Sequence, residues 1–210
     1  MMSISTRVRV RTVLVATAVT TGMLAVATSG GGVARAADAA PTRYTLDPAK
    51  STFEYQFTQA GALNKGKFTK YTVTLDFSAD NLPTSKLDVV VDMSSLDTGD
   101  KERDETLKSA DLFSVAKFPQ SRFTSTQITK TANGYDAVGK LTIRGVSRDA
   151  HVPFSFRTAD EQGKPAGYLL GKMAVKRLDF GVGQGDWKAT DQVGNDVSVS
   201  YSLRLVPAAH

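Results

Sequence analysis

The strongest constraint on the fold is a period of two in the apolar residues, which recurs along most of the chain after residue 50. Because successive side chains of a β-strand point to opposite faces of a sheet, this alternation predicts strands with one buried face. Seven segments show it, at Phe53/Tyr55/Phe57, Val73/Leu75/Phe77, Leu87/Val89/Val91/Met93, Tyr135/Ala137/Gly139/Leu141/Ile143, Ala150/Val152/Phe154/Phe156, Leu169/Gly171/Met173/Val175 and Val197/Val199/Tyr201/Leu203/Leu205. Phe123 and its neighbours predict a less regular eighth strand.

Turn-forming residues separate these segments. Asn133-Gly134 is a typical two-residue hairpin loop, and residues 80–83, 162–165 and 194–195 carry similar Asp, Asn, Gly and Pro combinations. Short connections between strands of this length predict an all-β, antiparallel domain that closes as a barrel or packs as a sandwich.

One segment, residues 101–117, loses the alternation. Leu107, Leu112, Phe113 and Val115 are spaced as on a helix, and Asp100 precedes them as an N-cap candidate. The sequence therefore predicts one short α-helix, packed on the barrel or closing one end of it.

Residues 1–36 have the pattern of a secretory signal peptide. Three arginines precede an apolar stretch at residues 13–28, and Ala34-Arg35-Ala36 supplies small residues for cleavage after Ala36, with Ala39 as the alternative. The stretch is short of the roughly 20 apolar residues that a membrane span needs. We therefore predict a secreted or periplasmic protein without a membrane span, with a flexible leader at residues 37–43 and one domain at residues 44–207.

The basic excess of the chain, +5 overall, lies mostly in that signal peptide. Its removal takes away four arginines and no acid and leaves 22 basic residues against 21 acidic ones. A nearly neutral domain without a basic stripe has no electrostatic footprint for nucleic acid. The chain also has no cysteine, which excludes disulfides, thiol catalysis and thiolate metal sites.

Residues suited to catalysis or metal binding are few. The mature chain has two histidines, of which His151 alternates with buried positions and should face solvent, while His210 is the last residue. Acids at residues 97–105 lack the spacing of a calcium loop and suit a helix N-terminus instead. We predict no catalytic residue, no metal and no cofactor.

The interior of the barrel remains as the place for a function. Small residues at inward positions, including Ala137, Gly139, Ala150 and Gly171, predict free space among the aromatic and aliphatic side chains. An eight-stranded barrel either is filled by side chains or holds one small ligand, and residue types alone leave both alternatives open.

Several motifs together resemble the YceI-like family of secreted bacterial proteins. They are Tyr44-Thr45-Leu46-Asp47-Pro48 with Ser51, Gly66-Lys67-Phe68, Ser95-Leu96-Asp97-Thr98-Gly99, Arg103-Asp104, residues 107–113, Lys117-Phe118-Pro119, residues 139–146 and residues 177–182. The resemblance spans about Tyr44 to Val206. It implies an eight-stranded lipocalin-like barrel that binds a polyisoprenoid or related lipid.

The resemblance places an apolar tail inside the barrel and a polar head nearer its mouth. We expect an isoprenoid lipid, a quinone or a similar amphiphile to contact Phe53, Tyr55, Phe57, Leu75, Phe77, Val89, Val91, Phe123, Leu141, Ile143, Phe154, Phe156, Met173, Val199 and Tyr201. Arg144 and Arg177 are candidates for contacts with the head group, because arginine offers a planar set of donors. Relatives often have histidine near positions 50, 58 and 106, where this chain has Lys50, Thr58 and Thr106, so no role of those histidines carries over.

Two other functions stay open at this stage. The first is a structural or stress-related interaction protein, in which the barrel is filled and its outer face or helix binds a protein partner; an exposed apolar patch on residues 107–118 would favour it. In the second, an enzyme acts on a lipid in the barrel with a carboxylate such as Asp179 as base. The sequence also leaves open whether the barrel forms a homodimer.

Overall fold

The computed structural model describes residues 40–208, so the predicted signal peptide lies outside the described residues. The part described contains eleven strands and one α-helix. The strands are β1 Thr42–Leu46, β2 Thr52–Gln59, β3 Ala62–Phe68, β4 Tyr71–Phe77, β5 Lys86–Asp92, β6 Leu96–Asp97, β7 Gln120–Thr131, β8 Gly134–Ile143, β9 Val146–Glu161, β10 Lys164–Lys176 and β11 Asp196–Pro207.

Eight of these strands close into an antiparallel ring. Their order is β1, β4, β5, β7, β8, β9, β10 and β11, and β11 pairs back to β1. Strands β2, β3 and β6 extend the sheet from β11 beyond the end of β1. The predicted eight-stranded antiparallel barrel is confirmed, because each strand of the ring pairs antiparallel with two neighbours and β11 closes the ring on β1.

Strand β1 begins at Thr42, inside the segment that the sequence predicts as a leader. Thr42 pairs with Phe77 of β4, and Arg43 forms an ion pair of 2.7 Å with Asp76. The backbone of Thr42 and Arg43 is therefore part of the barrel wall.

The helix α1 spans Lys101–Lys108 and is shorter than the predicted 101–117. Asp100 caps it by accepting a hydrogen bond of 3.1 Å from the backbone N–H of Arg103. Residues 109–117 form turns instead, in which Ser114 has a positive φ of 49°. Leu112 and Phe113 still pack inward, against Phe180 and Val182, so the apolar spacing reflects burial of a turn rather than a helix face.

One end of the barrel is filled by aromatic rings. Phe156 lies edge-on to Tyr44, with 5.2 Å between ring centroids, and to Phe77, at 4.9 Å. Tyr135 contacts Phe77 at 4.9 Å and Phe154 at 5.6 Å. Edge-to-face pairs of this kind pack closely, so we call this cluster of five residues the closed end.

Candidate ligand cavities

Three apolar cavities lie inside the barrel, beyond the closed end. The lower cavity has about 80 Å³ and lies between Leu87, Phe123, Leu169 and Leu203. The central cavity has about 120 Å³, and the upper cavity, next to α1, has about 60 Å³. The inward positions of the strands line the lower and central cavities with the alternating residues of the sequence, whereas α1 and the loops supply much of the wall of the upper cavity.

The three cavities are arranged in series. The lower and central cavities share the wall residues Phe53, Val91, Ser121, Leu141 and Met173. The central and upper cavities share a second set, and no residue lines both the lower and the upper one. That second set is Tyr55, Phe113, Arg177, Val182 and Val197. The arrangement forms one elongated apolar space, interrupted by side chains.

The structure divides the predicted lining residues into two groups. Eleven line the cavities, namely Phe53, Tyr55, Phe57, Val89, Val91, Phe123, Leu141, Ile143, Met173, Val199 and Tyr201. The other four, Leu75, Phe77, Phe154 and Phe156, belong to the core cluster at or beside the closed end. Alternation identifies an inward side chain but carries no information on its height in the barrel.

Other cavity residues were not predicted as ligand contacts. Some follow from the same alternation, namely Leu87, Val152, Leu169, Val175, Val197 and Leu203. Others are Phe68, at the end of β3, and a set from the helix and the loops, namely Leu107, Leu112, Phe113, Phe180, Val182, Trp187 and Val193. The loop residues of this set lie outside the alternating segments of the sequence, and only tertiary packing brings them to the barrel.

The inward glycines Gly139 and Gly171 do not create the cavities, contrary to the expectation from sequence. A Cβ atom on Gly139 would collide with the backbone of Thr124 and Ser125, and one on Gly171 would meet Pro153 and the ring of Tyr201. These glycines allow close approach of neighbouring groups, in the case of Gly139 beside the bulge of β7. The free space lies instead between large side chains.

Arg177 is the most constrained polar group at the cavities. Its side chain is buried and donates all five of its guanidinium N–H groups to backbone carbonyls, at 2.7–3.3 Å. The acceptors are Val182, Trp187, Ala189, Val193 and Gly194. Burial lowers the pKa of Arg177. The residue therefore holds the loop 181–195 over the upper cavity and has no donor left for a head group.

Arg144, the second predicted head-group residue, lies in the turn between β8 and β9. It has a positive φ of 50°, and one Nη donates to the carbonyl of Ala110 at 2.8 Å. Its Nε is buried without a hydrogen-bond partner. Arg144 does not line any of the three cavities and instead joins the turn to the segment after α1.

Two tyrosine hydroxyls are buried near the cavities and differ in their partners. Tyr201 donates to the carbonyl of Pro153 at 2.6 Å, whereas the hydroxyl of Tyr55 has no hydrogen-bond partner. Burial raises the pKa of both, because it disfavours the charged phenolate. The pair offers a comparison between a satisfied and an unsatisfied buried hydroxyl.

Groups with potential for chemistry lie outside the cavities. His151 is exposed, and its Nδ1 lies 2.6 Å from a carboxylate oxygen of Asp136. Asp179 is exposed beside a surface cleft, away from the interior. Within residues 40–208 no group of three or more histidine, aspartate or glutamate side chains could hold a metal ion.

Comparison with known proteins agrees with this architecture. A closed antiparallel barrel with an elongated apolar interior belongs to the lipocalin-like class of folds. The model of the YceI-like domain matches residues 44–205, so the chain belongs to the YceI-like family.

Two curated relatives have similar sequences. A UPF0312 protein of Yersinia enterocolitica is 36% identical over 121 residues, which cover 56% of this chain and 62% of that protein. Protein YceI of Salmonella arizonae is 33% identical over 138 residues, which cover 64% of this chain and 71% of that one. The chain thus matches less than two thirds of the length of the Yersinia relative.

Solved structures show the same fold. BcnA of Burkholderia cenocepacia has a TM-score of 0.70 and 29% identity, over 76% of this chain and 98% of that one. A polyisoprenoid binding domain from Saccharophagus degradans has a TM-score of 0.57 over 79% of this chain and 98% of that one. Its identity of 16% makes it a likeness of fold alone. Among the described helices, none has the length and apolar character to cross a membrane.

Proposed function

We propose that this protein binds an amphiphilic lipid, with an isoprenoid or similarly apolar tail inside the barrel, and carries or sequesters it without chemical change. The observation that carries the proposal is the series of three apolar cavities along one barrel. The walls of these cavities are almost entirely apolar, so the interior suits an apolar tail. The name of the Saccharophagus relative, a polyisoprenoid binding domain, supports the same class of ligand.

The side chains that separate the cavities can adapt to an elongated tail. Met173 is shared by the lower and central cavities, and an unbranched methionine adapts its shape at low cost. Large ligands gain about 0.3 kcal/mol per non-hydrogen atom, so each five-carbon isoprene unit adds about 1.5 kcal/mol. About five to six units are then enough for micromolar affinity without any hydrogen bond.

The two other functions have less support. Leu107, Leu112 and Phe113 pack into the apolar clusters below α1, so the patch that a protein partner would need is largely covered. Asp179 is exposed and lines none of the three cavities, so it is not placed against a tail inside them. We further propose that the protein works after secretion, in the periplasm or outside the cell, and that quinones are among its ligands.

The experiment is ligand identification followed by rebinding. The mature protein, purified from its own host, is examined by native mass spectrometry, and its organic extract is analysed for isoprenoids and quinones. The extracted protein is then titrated with a long-chain prenol, and Trp187, the only tryptophan, reports binding by its fluorescence. A stoichiometric lipid and saturable uptake are expected.

A pair of variants on β11 makes the test specific. Val199 lines the central cavity, and Val199→Phe should weaken prenol binding at least tenfold by filling it. Ser202 lies exposed on the same strand, and Ser202→Phe should leave binding unchanged. Equal binding by the folded Val199→Phe protein, or no uptake by the wild type, would overturn the proposal.

A further inference from the structure

The barrel wall has an opening between β2 and β4. Two stretches of the chain lie antiparallel to each other here, one from β1 to β2 and the other from β3 to β4. They pair at one end through Thr42↔Phe77 to Thr45↔Thr74 and at the other through Glu54↔Lys67 to Gln59↔Ala62. Between Thr45 and Glu54 no ladder pair joins the two runs, so they separate around a gap, which we call the lateral window.

The window is built by local sequence. Pro48 has no N–H to donate to a ladder, and residues 48–50 form a 3-10 helix instead of a strand. Asp47 fixes this break, because its carboxylate forms an ion pair of 2.6 Å with Arg204 of β11. The hydroxyl of Ser51 donates to the carbonyl of Asp47 at 2.7 Å, which closes the turn.

The opposite edge of the window also finds its hydrogen bonds elsewhere. The backbone N–H of Thr69 donates to the carbonyl of Ser95, and that of Lys70 donates to the hydroxyl of the same serine. The carbonyl of Lys70 accepts from the N–H of Asp92. The backbone groups on both edges thus have hydrogen-bond partners without pairing across the gap. Closing the gap would therefore satisfy no unpaired group.

A cleft of about 900 Å³ lies outside the window and a single layer of aromatic rings separates it from the interior. Phe53 lines the cleft, the lower cavity and the central cavity, and Phe68 lines the cleft and the central cavity. Phe53 contacts Phe68 at 5.5 Å and Tyr71 at 5.3 Å between ring centroids. All three rings are half-buried, with one side to the cleft. We call them the aromatic gate.

The other routes into the barrel are obstructed. The closed end is filled by packed rings, and the opposite end is covered by α1 and by the loop that Arg177 holds. A second cleft of about 450 Å³ shares Leu141 and Met173 with the interior, where β9 and β10 diverge before Phe154. Arg148 bridges that cleft by donating to the carbonyl of Asp179 at 3.2 Å.

We propose that the lipid passes sideways through the lateral window, past the aromatic gate, and that its polar head stays in the outer cleft while the tail occupies the cavities. This inference rests on the proposed function. It follows that the rings of Phe53 and Phe68 rotate aside during uptake, which exchanges ring contacts for contacts with the tail.

The cleft also indicates the chemistry of the head. Its lining combines the hydroxyls of Ser51, Thr52, Thr69 and Thr72 with the amide of Gln120. Two lysines and two acids balance in charge, namely Lys67 and Lys70 against Glu54 and Asp92. Such a lining donates and accepts hydrogen bonds without a net field, so it favours an uncharged oxygen-bearing head, such as an alcohol, phenol or quinone, over a diphosphate.

The absence of cysteine allows a direct test by reversible cross-linking. Thr52 and Thr72 are exposed on opposite edges of the window, and a Thr52→Cys/Thr72→Cys variant can be bridged by a bis-maleimide with a reducible linker. The matched control is His151→Cys/Ala174→Cys, which is bridged across the second cleft. Uptake and release of a long-chain prenol are followed by Trp187 fluorescence before and after reduction.

Bridging the lateral window should slow both uptake and release at least tenfold, and reduction should restore both rates. Phe68→Ala should speed both rates, because it removes a ring of the gate. Unchanged rates in the bridged window, or equal slowing by the control bridge, would overturn the side route. A wild type that takes up no prenol would instead overturn the proposed function itself.

The position of the head is tested by quenching. A fluorophore is attached to a Thr72→Cys variant or, as control, to a His151→Cys variant, and each is loaded with a prenol that carries a nitroxide at its head. We expect quenching at position 72 and little at position 151. A titration with prenyl diphosphate should show at least tenfold weaker binding than prenol, and tighter binding would refute the assignment of a neutral head.

Discussion

Replacement of Arg177 by methionine is the perturbation with the most clearly defined structural consequence. Within residues 40–208 the guanidinium donates to five carbonyls of the loop 181–195, and its bonds to the carbonyls of Val182 and Val193 are fully buried, at 2.9 and 2.7 Å. Methionine has a similar length but no donor, so these two carbonyls lose their hydrogen bonds without access to water. The other acceptors are partly buried and can turn to solvent.

The magnitude follows from the two buried carbonyls. A buried polar group left without a partner costs about 1–3 kcal/mol, so the loss amounts to about 2–6 kcal/mol. Relief of the buried cation, whose pKa is already lowered by burial, offsets part of this. We expect Arg177→Met to lower the free energy of unfolding by about 3 kcal/mol, and the melting temperature of a domain of this size by about 6–12 °C.

The measurement is chemical and thermal unfolding followed by circular dichroism, with the fluorescence of Trp187 as a local probe of the loop. Arg148→Met is the control, because Arg148 is exposed and makes one backbone hydrogen bond, of 3.2 Å. It should cost less than about 1 kcal/mol. An Arg177→Met protein within 1 kcal/mol of the wild type would show that the loop does not depend on the guanidinium, which would refute the reasoning.

Three further predictions concern stability. Tyr201→Phe should lower the free energy of unfolding by about 1 kcal/mol in denaturant titrations, whereas Tyr55→Phe should leave it unchanged or raise it, because only the first hydroxyl has a partner; equal effects would contradict this. Gly139→Val should cost more than about 2 kcal/mol, because its side chain meets the backbone of the adjacent strand; a neutral result would show that the bulge can move. Hydrogen bonds from Arg204 lower the pKa of Glu161, so this stabilisation is complete above the ordinary glutamate pKa of about 4.3 and is lost as the pH falls through the lowered value. The wild type should then lose more unfolding free energy below about pH 4.3 than Glu161→Gln, and parallel pH profiles would contradict the assignment.

The sequence predicted the strands and the barrel well, and the reason is physical. The period of two in segments such as Phe53 to Phe57 is imposed by the pleat, so it is visible before any tertiary contact is known. A tight connection between β7 and β8 also forms where the sequence predicts one, but it is shifted by one residue: Ala132 and Asn133 form the turn, and Gly134 already pairs with Thr131 as the first residue of β8. Inward direction was therefore predictable for most of the cavity lining.

The height of each residue in the barrel was not predictable from alternation. Phe77 and Phe154 have the same local pattern as Phe53, but they pack into the closed end while Phe53 stands between the cavities and the outer cleft. The difference depends on strand register and on the stagger around the ring, which no single strand encodes.

The arginines show the same limit for polar groups. An arginine side chain is well suited to bind a polar head group. The five donors of Arg177, however, are all bonded to carbonyls between residues 182 and 194. Those acceptors belong to an irregular loop whose path has no periodic signal in the sequence.

The strands, their buried faces and the YceI-like family could thus be predicted from the sequence alone, because strand alternation and family motifs are properties of short segments. The tertiary structure decided where the barrel is filled, where it is hollow and where its wall opens, as at Asp47-Pro48. Those features depend on contacts between side chains that are far apart in sequence, such as the ion pair of Asp47 with Arg204, 157 residues away. Such contacts form only in the folded chain.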